Sequence, residues 1–374
     1  MKRFAILARE RYTADGMAAN LKDFTLREEG ETDPAQLLSA PELTLYCLDL
    51  ECKRAAFVST PPEINLEDAP FYHDWQFNHA RELFTVEFDT FLGVSAQIPQ
   101  ADTLVLIHNI GRCGSTLLSK AFSPIDSCTS YSEPDSFTQM AFWRTIDDPR
   151  DGLWRLLLPA RMKFTFRDAH SQRPSRAIIK FHSACLNLLD LFLDCFPDAR
   201  HLFLYRHCSS WVASLISLVG RHQPIPSRTH EEAMKNWRHY NGRCVDQSTF
   251  PFHRLPETIT GAQAFAVSWL VYLELVTKIL QSYPGRLFLV RYDELTTNRE
   301  ACLQKIFTHC GLPQDRLADS LKAFDTDSQA GTTFARVDAD AGAKRQLPES
   351  DRSQMQAILN LHPYINDSGY TIAA

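Results

Sequence analysis

The segment from Leu104 to Leu118 leaves the chain few folds to choose from. The apolar run Leu104-Val105-Leu106-Ile107 leads into His108-Asn109-Ile110-Gly111-Arg112-Cys113-Gly114-Ser115-Thr116-Leu117-Leu118. The order is buried strand, glycine turn, small hydroxyl residues, helix. Gly111 and Gly114 let the backbone bend so that several N–H groups point inward, and with the helix N-terminus they form an anion site. Ser115 and Thr116 add hydroxyl donors. Arg112 adds a fixed fork of donors suited to a charged, multi-oxygen group.

The loop lacks the GxxxxGK[ST] order of nucleoside-triphosphate sites, in which lysine follows the last glycine. Ser115 holds that place, and the cation sits two residues before Gly114. Three further apolar runs have the length of strands covered on both faces: Ala177-Ile178-Ile179, Leu202-Phe203-Leu204-Tyr205 and Leu287-Phe288-Leu289-Val290. Helix-like segments follow at residues 115–121, 210–218 and 299–310. This alternation predicts a three-layer α/β fold around a parallel sheet, over residues 101–374.

Residues 1–100 read as a smaller α+β element with no evident chemistry, a cap or a dimerisation unit. Leu43–Leu48 and Ala55–Val58 look like a strand pair turning near Cys52-Lys53-Arg54. Asp74 to Phe91 mixes aromatics and charges at roughly helical spacing.

Ligands of open α/β sheets sit beyond the strands' carboxyl ends. Lys180 and His182 alternate at one strand end, so both can point the same way. A histidine beside an acceptor can act as general base near neutral pH. Arg206 lies at another strand tip, and Ser214 follows eight residues on, inside the next helix. Such a pair can clamp one phosphate from two sides. Arginine here, where magnesium NTPases often place aspartate, favours an anion over a metal.

Composition narrows the partners. A formal net charge of −6 argues against a nucleic-acid binder held by phosphate contacts. The ten cysteines form no CxxC pair, which fits reduced core thiols in a cytosolic protein. The N-terminal apolar run is too short for a signal peptide. The most apolar stretch, Ala262 to Leu280, carries Gln263, Ser268, Glu274 and Lys278, and so reads as a core helix rather than a membrane span.

Together these pieces resemble the superfamily of sulfotransferases that use 3′-phosphoadenosine-5′-phosphosulfate (PAPS). Its 5′-phosphosulfate loop, [PG]-[KR]-S-G-[ST]-T, is matched by Gly111-Arg112-Cys113-Gly114-Ser115-Thr116. Lys180-Phe181-His182 looks like the K-T-H strand end of the cytosolic branch. Arg206 and Ser214 match the 3′-phosphate element, and Tyr292-Asp293-Glu294-Leu295 looks like Y-E-D-[ML]. The resemblance implies a P-loop NTPase-like fold, PAPS as co-substrate without a metal, and a hydroxyl or amine acceptor on a small molecule or carbohydrate. The loop N–H groups would hold the 5′-phosphate, Arg112 the leaving oxygen, and Arg206 and Ser214 the 3′-phosphate. Tyr292 would join the nucleotide site, and Lys180 would assist catalysis.

Two residues compete as base. Glu133, in Tyr131-Ser132-Glu133-Pro134-Asp135, lies 21 residues after Arg112, as in Golgi-type and some bacterial members. His182 matches the cytosolic branch. Arg112 and Leu117 incline the reading toward Glu133. Leu117 stands where the family has an adenine-stacking tryptophan. Arg336, Lys344 and Arg345 replace the C-terminal phosphate clamp by position only, within a polar stretch from Asp325 to Arg352 expected to close over the nucleotide. Trp237, Tyr240, Phe250 and Phe252 fall in a loop-rich region, as pocket lining or as core. A P-loop kinase and a non-catalytic nucleotide-binding scaffold are the alternatives.

Overall fold

The computed structural model describes residues 1–374 except 14–17, 68, 70, 127, 168–174, 221–223, 327–345 and 374. Two sheets organise it. The first is antiparallel and uses the N-terminal strands β1 (Lys2–Arg9), β2 (Phe24–Glu31), β3 (Leu43–Asp49), β4 (Arg54–Ser59) and β5 (Glu82–Glu87), in the order β2-β1-β5-β4-β3. The expected pair, β3 and β4, is present. β1 and β2 were not anticipated: Lys2–Arg9 mixes three cations into its apolar positions and shows no alternation. The helical spacing read over Asp74 to Phe91 is interrupted. Glu82–Glu87 is a strand between β1 and β4, flanked by helices Tyr72–His79 and Phe88–Ser95. Its Leu, Phe, Thr and Val suit a pleated, paired surface, and burial on both sides overrides local period.

The second sheet comprises β6 (Thr103–Asn109), β7 (Cys128–Ser132), β8 (Arg176–Lys180), β9 (Arg200–Tyr205) and, after a ribbon of β10 (Arg228–Thr229) and β11 (Thr258–Ile259), β12 (Leu287–Arg291). It is parallel throughout, in the order β12-β9-β6-β8-β7. Four of its strands are the four apolar runs. The fifth, β7, is a half-buried edge strand rich in small polar residues, which carries little apolar signal. After β6 the chain builds β7 and β8 on one side, then crosses to build β9 and β12 on the other. The carboxyl end of β6 is therefore the switch point where an open sheet leaves a crevice.

Alternation along β6 divides the core. Val105 and Ile107 face one apolar cluster, which takes in Leu202 and Leu204, the helix Cys208–Val219 and the 22-residue helix Gly261–Ser282. That last helix is long and apolar enough to cross a membrane, yet it packs inside the fold, with Glu274 fully buried. Leu104 and Leu106 face a second cluster, shared with Phe57, Phe84 and Val86 of the N-terminal sheet. Phe57 and Phe91 both meet Phe164, at 5.0 and 4.9 Å between ring centres. The two sheets are thus joined by a continuous apolar layer, which holds the N-terminal strands against the half of the parallel sheet that carries β8 and β7. All ten cysteines are free thiols and seven are buried.

Residues 368–371 are tied to the segments at the carboxyl ends of β9 and β12. The Cys208 N–H donates to the Ser368 carbonyl at 2.8 Å, and Arg291 donates to Thr371 Oγ1 at 3.1 Å.

Two buried histidines brace β6. His108 Nε2 and His201 Nδ1 lie 3.2 Å apart on adjacent strands, with rings nearly parallel. Burial holds His108 well below the imidazole range and His201 at about 4. Both are neutral in the native state, whereas unfolded chains protonate histidine near 6.5. The unfolded state binds the extra proton, so stability falls as pH drops from about 6.5 toward 4, by up to about 3 kcal/mol for one proton. Denaturant melts across that window are expected to show this slope, and a His108→Leu/His201→Leu variant a flatter one. A second expectation separates the two loop glycines, both left-handed (φ +75° and +83°). A Cβ on Gly111 meets nothing nearer than 3.9 Å, whereas one on Gly114 would sit 3.0 Å from the Tyr292 ring. Gly111→Ala should cost about 1–2 kcal/mol, from backbone strain alone. Gly114→Ala should cost about 2–5 kcal/mol, because the ring must also move.

Candidate functional site

The turn after β6 is built from residues in unusual backbone states. Gly111, Arg112 and Gly114 all have positive φ, and Arg112 does so with a side chain (φ +51°). Such strain costs on the order of 1–3 kcal/mol per non-glycine residue and persists only where the surroundings impose it. Here they do. Asn109 accepts from the Gly111 N–H at 2.8 Å and donates to the Phe181 carbonyl at 2.7 Å, tying the turn to the tip of β8. The Trp211 indole donates to the Gly111 carbonyl at 2.8 Å. Cys113 faces the core and donates to the Leu204 carbonyl at 3.3 Å, and burial pushes its thiol up to about 11. Its side chain is an anchor, so any contact it makes with a ligand comes through the backbone.

Behind this turn stand the residues from β9, its following helix and β12. The Arg206 guanidinium lies 4.3 Å above the Tyr292 ring, donates to Ser210 Oγ at 2.8 Å, and reaches the Arg112 carbonyl at 3.4 Å. Arg112 Nε in turn donates to Ser214 Oγ at 3.2 Å. Four residues read from three motifs, Arg112, the Arg206/Ser214 pair and Tyr292, thus form one contact group.

On the other side of β6, Glu133 follows β7, again with positive φ (+57°). Its N–H donates to the Lys180 carbonyl at 2.7 Å, and its carbonyl accepts from His73 Nδ1 at 3.2 Å. Its carboxylate is ion-paired with the buried Lys180 ammonium. Burial pushes the Glu133 carboxyl up, but Lys180, His182 and His73 together outweigh it and hold it below the ordinary range. His182 caps the turn that follows, and its Nδ1 accepts from the Ala184 N–H at 3.2 Å. A neutral His182 therefore carries its proton on Nε2.

The turn and the groups around Glu133 share one cleft of about 690 Å³, whereas Arg206, Ser214 and Tyr292 pack behind Arg112 and do not line it. Gly111, Arg112, Ser115, Thr116, Glu133, Lys180 and His182 line it, whereas Cys113 is buried in the core and Gly114 packs against Tyr292. Leu117 is core, and Trp211 supplies an aromatic wall instead. Trp237 and Tyr240 line the cleft from the helix His230–Asp246, which replaces the loop-rich region expected there, and Phe250 is core. Arg336, Lys344 and Arg345 lie outside the described residues.

Sequence reasoning missed the cleft's contribution from residues 1–100, made by Arg11 just after β1 and by the start of the helix Tyr72–His79. Arg11, Phe71, His73 and Asp74 all reach it, joined by Asp135. Arg11 lies 3.5 Å from both Asp74 and Asp135 and 3.6 Å from Asp23, with its guanidinium 4.2 Å from the Phe77 ring centre. Burial raises the Asp135 carboxyl to about 7. Asp135 could have been suspected, two residues from Glu133. Arg11 and His73 carried no signal, because only tertiary packing brings them near.

No curated protein matches the chain. Several solved structures superpose loosely. A sulfotransferase domain from the curacin biosynthetic pathway is 14% identical with a TM-score of 0.39, over 70% of this chain and 97% of that one. A sulfotransferase from Alicyclobacillus acidocaldarius is 16% identical with a TM-score of 0.36, over 68% and 100%. Retinol dehydratase, solved with androsterone and inactive cofactor PAP, is 12% identical with a TM-score of 0.35, over 87% and 92%. The firmer finding is in the sequence itself, where the pattern of the family described as "Sulfotransferase family" matches residues 105–316, more than half of the chain and all of the turn, clamp and base segments described above. The chain belongs to the sulfotransferase family.

Proposed function

We propose that the protein transfers a sulfuryl group from PAPS to an acceptor hydroxyl, with Glu133 as general base. The observation that carries this reading is the joining of the turn to the clamp: Arg112 is bonded at once to Arg206 and to Ser214. A ligand seated on the turn's N–H groups therefore lies beside a second set of donors, as a nucleotide phosphorylated at both 3′ and 5′ positions requires. Arg206 and Ser214 would exchange their bonds to Arg112 for the 3′-phosphate, and the released Arg112 would turn to the 5′ end.

In the transfer, the bond between sulfur and the bridging oxygen breaks while a bond from the acceptor oxygen to sulfur forms. The turn's N–H groups and Arg112 hold the charge that develops on the departing 5′-phosphate, and Glu133 takes the acceptor's proton. Fixed donors aimed at developing charge supply most of the rate in such displacements. Glu133 suits the base better than His182, whose Nδ1 lone pair is occupied by Ala184 and whose Nε2 carries the proton when the ring is neutral. His182 Nε2 would instead donate toward the transferring group. Lys180 holds Glu133 ionised at rest and stands ready to turn toward the incoming anion.

Calorimetry with 3′-phosphoadenosine-5′-phosphate against AMP tests the donor. The doubly phosphorylated nucleotide should bind at least tenfold tighter, and Arg206→Ala should abolish the difference. Equal binding of AMP defeats the assignment. For the base, Glu133→Gln should slow turnover by about 10²–10⁴-fold with nucleotide affinity kept, and His182→Ala by much less. Because Glu133 lies below the ordinary carboxylate range, it is ionised throughout pH 5–8, and kcat/KM should show no acid limb in the imidazole range. An acid limb near pH 6–7 that vanishes in His182→Ala transfers the role to His182.

A further inference from the structure

The local chain does not by itself place Glu133 as it stands. Glu133 precedes Pro134, and a residue before proline is pushed toward extended backbone. Its φ is +57° instead, and it alone has positive φ among residues 128–143. Pro134 has no N–H to donate within the turn. The hold comes from outside. The Glu133 N–H extends the pairing of β7 with β8, at 2.7 Å from the Lys180 carbonyl. The Glu133 carbonyl is met by His73 Nδ1 at 3.2 Å. A carbonyl only accepts, so His73 donates there. With the peptide groups on both sides of its Cα bonded, the direction in which Cβ leaves the backbone is set. Lys180 then pairs with the carboxylate at the far end.

His73 is itself held. Its backbone carbonyl accepts from Arg11 Nη2 at 3.2 Å, and Arg11 Nη1 lies 3.5 Å from Asp135 Oδ2. Two ties therefore join the start of the helix Tyr72–His79 to residues 133–135, one through the imidazole and one through the guanidinium. Asp23, fully buried, backs Arg11 at 3.6 Å and accepts from Tyr46 Oη, from the Tyr12 N–H at 2.8 Å and from the Asn20 N–H at 2.9 Å. His73 Nε2 faces Asp74 Oδ1 at 3.4 Å, which steadies the ring.

These ties are not needed to dock the N-terminal sheet. The apolar layer around Phe57, Phe84 and Phe164 does that. So does Gln139, buried in the helix Asp135–Trp143, whose amide exchanges bonds with the Leu48 backbone at 2.8 and 2.9 Å. What the imidazole adds is local to the strained residue. We propose that His73 is a positioning residue for the general base: its bond to the Glu133 carbonyl holds the left-handed backbone from which the carboxylate meets the acceptor. Residues 1–100 are then a working part of the transfer centre rather than a cap, although His73 and Arg11 lie outside the matched residues 105–316. This rests on Glu133 being the base.

The test follows transfer from PAPS to p-nitrophenol in the full chain, with hydrolysis of PAPS to 3′-phosphoadenosine-5′-phosphate and sulfate as the measure in which water is the acceptor. Calorimetry with 3′-phosphoadenosine-5′-phosphate reports nucleotide affinity. His73→Leu should lower kcat about 10–10²-fold, as misplacing a reacting group does. The KM for PAPS and the nucleotide affinity should change less than twofold. His73→Asn puts an amide N–H where Nδ1 stood and should recover kcat to within threefold of the wild type. His73→Gln carries the same amide one bond further and should not. The double variant His73→Leu/Glu133→Gln should be no slower than Glu133→Gln, since a tie that acts only by aiming Glu133 has nothing left to aim. A kcat unmoved by His73→Leu overturns the proposal, as do full additivity in the double variant and equal rates for His73→Asn and His73→Gln. If His73→Leu binds no nucleotide, the Asn and Gln variants decide. A slow Glu133→Gln beside a fast His73→Leu defeats this inference and leaves the base in place. If Glu133→Gln is as fast as the wild type, or the wild type uses neither p-nitrophenol nor water, the base reading itself has failed, and this inference with it.

Discussion

The cleft depends on one backbone constraint, the reversal at the carboxyl end of β6, where Gly111, Arg112 and Gly114 all have positive φ. A helix that continued the strand directly would turn its N–H groups along its own axis and present none to the crevice. The reversal exposes them, and it is held by partners drawn from every neighbouring element. Asn109 ties it to β8, Trp211 to the helix after β9, and Tyr292 to the segment after β12. The switch in strand order supplies the space, and these bonds give it a fixed lining.

The second strained residue, Glu133, is secured in the same manner by different groups. Its N–H is held by β8 and its carbonyl by His73, so its backbone is fixed from both the parallel sheet and the helix Tyr72–His79. Lys53 and Asp147 share this left-handed backbone away from the cleft; only at Arg112 and Glu133 does it fall on groups that line the cleft.

Much of this was legible in the chain, and the limits follow from physics. The four buried strands declared themselves because a sheet covered on both faces demands continuous apolar runs. The glycine turn was legible because few sequences satisfy its φ angles. Arg206 and Ser214 could be paired from their spacing alone, since strand tip and first helical turns are fixed in register. β7 escaped because an edge strand needs no apolar run, and β1 because its cations face solvent along a half-buried ribbon. Sequence inclined toward Glu133 over His182 through Arg112 and Leu117, but it could not show that His182 Nδ1 accepts the Ala184 N–H, a fact of three-dimensional hydrogen bonding. Arg11 and His73 stayed invisible for the same reason: they lie about 100 and 40 residues before the turn, and no local pattern records a contact that only the apolar layer between the sheets creates.

That Ser368 and Thr371 are bonded beside Arg206 has a bearing on how the protein is made. A ribosome delivers roughly 5–20 residues per second, so Arg11 emerges tens of seconds before the segment that braces the opposite wall. Throughout synthesis the nascent chain holds a cleft lacking one of its supports. Until Ser368 and Thr371 have emerged, the Cys208 N–H and the Arg291 guanidinium lack these partners, and the apolar layer between the sheets has to form without them.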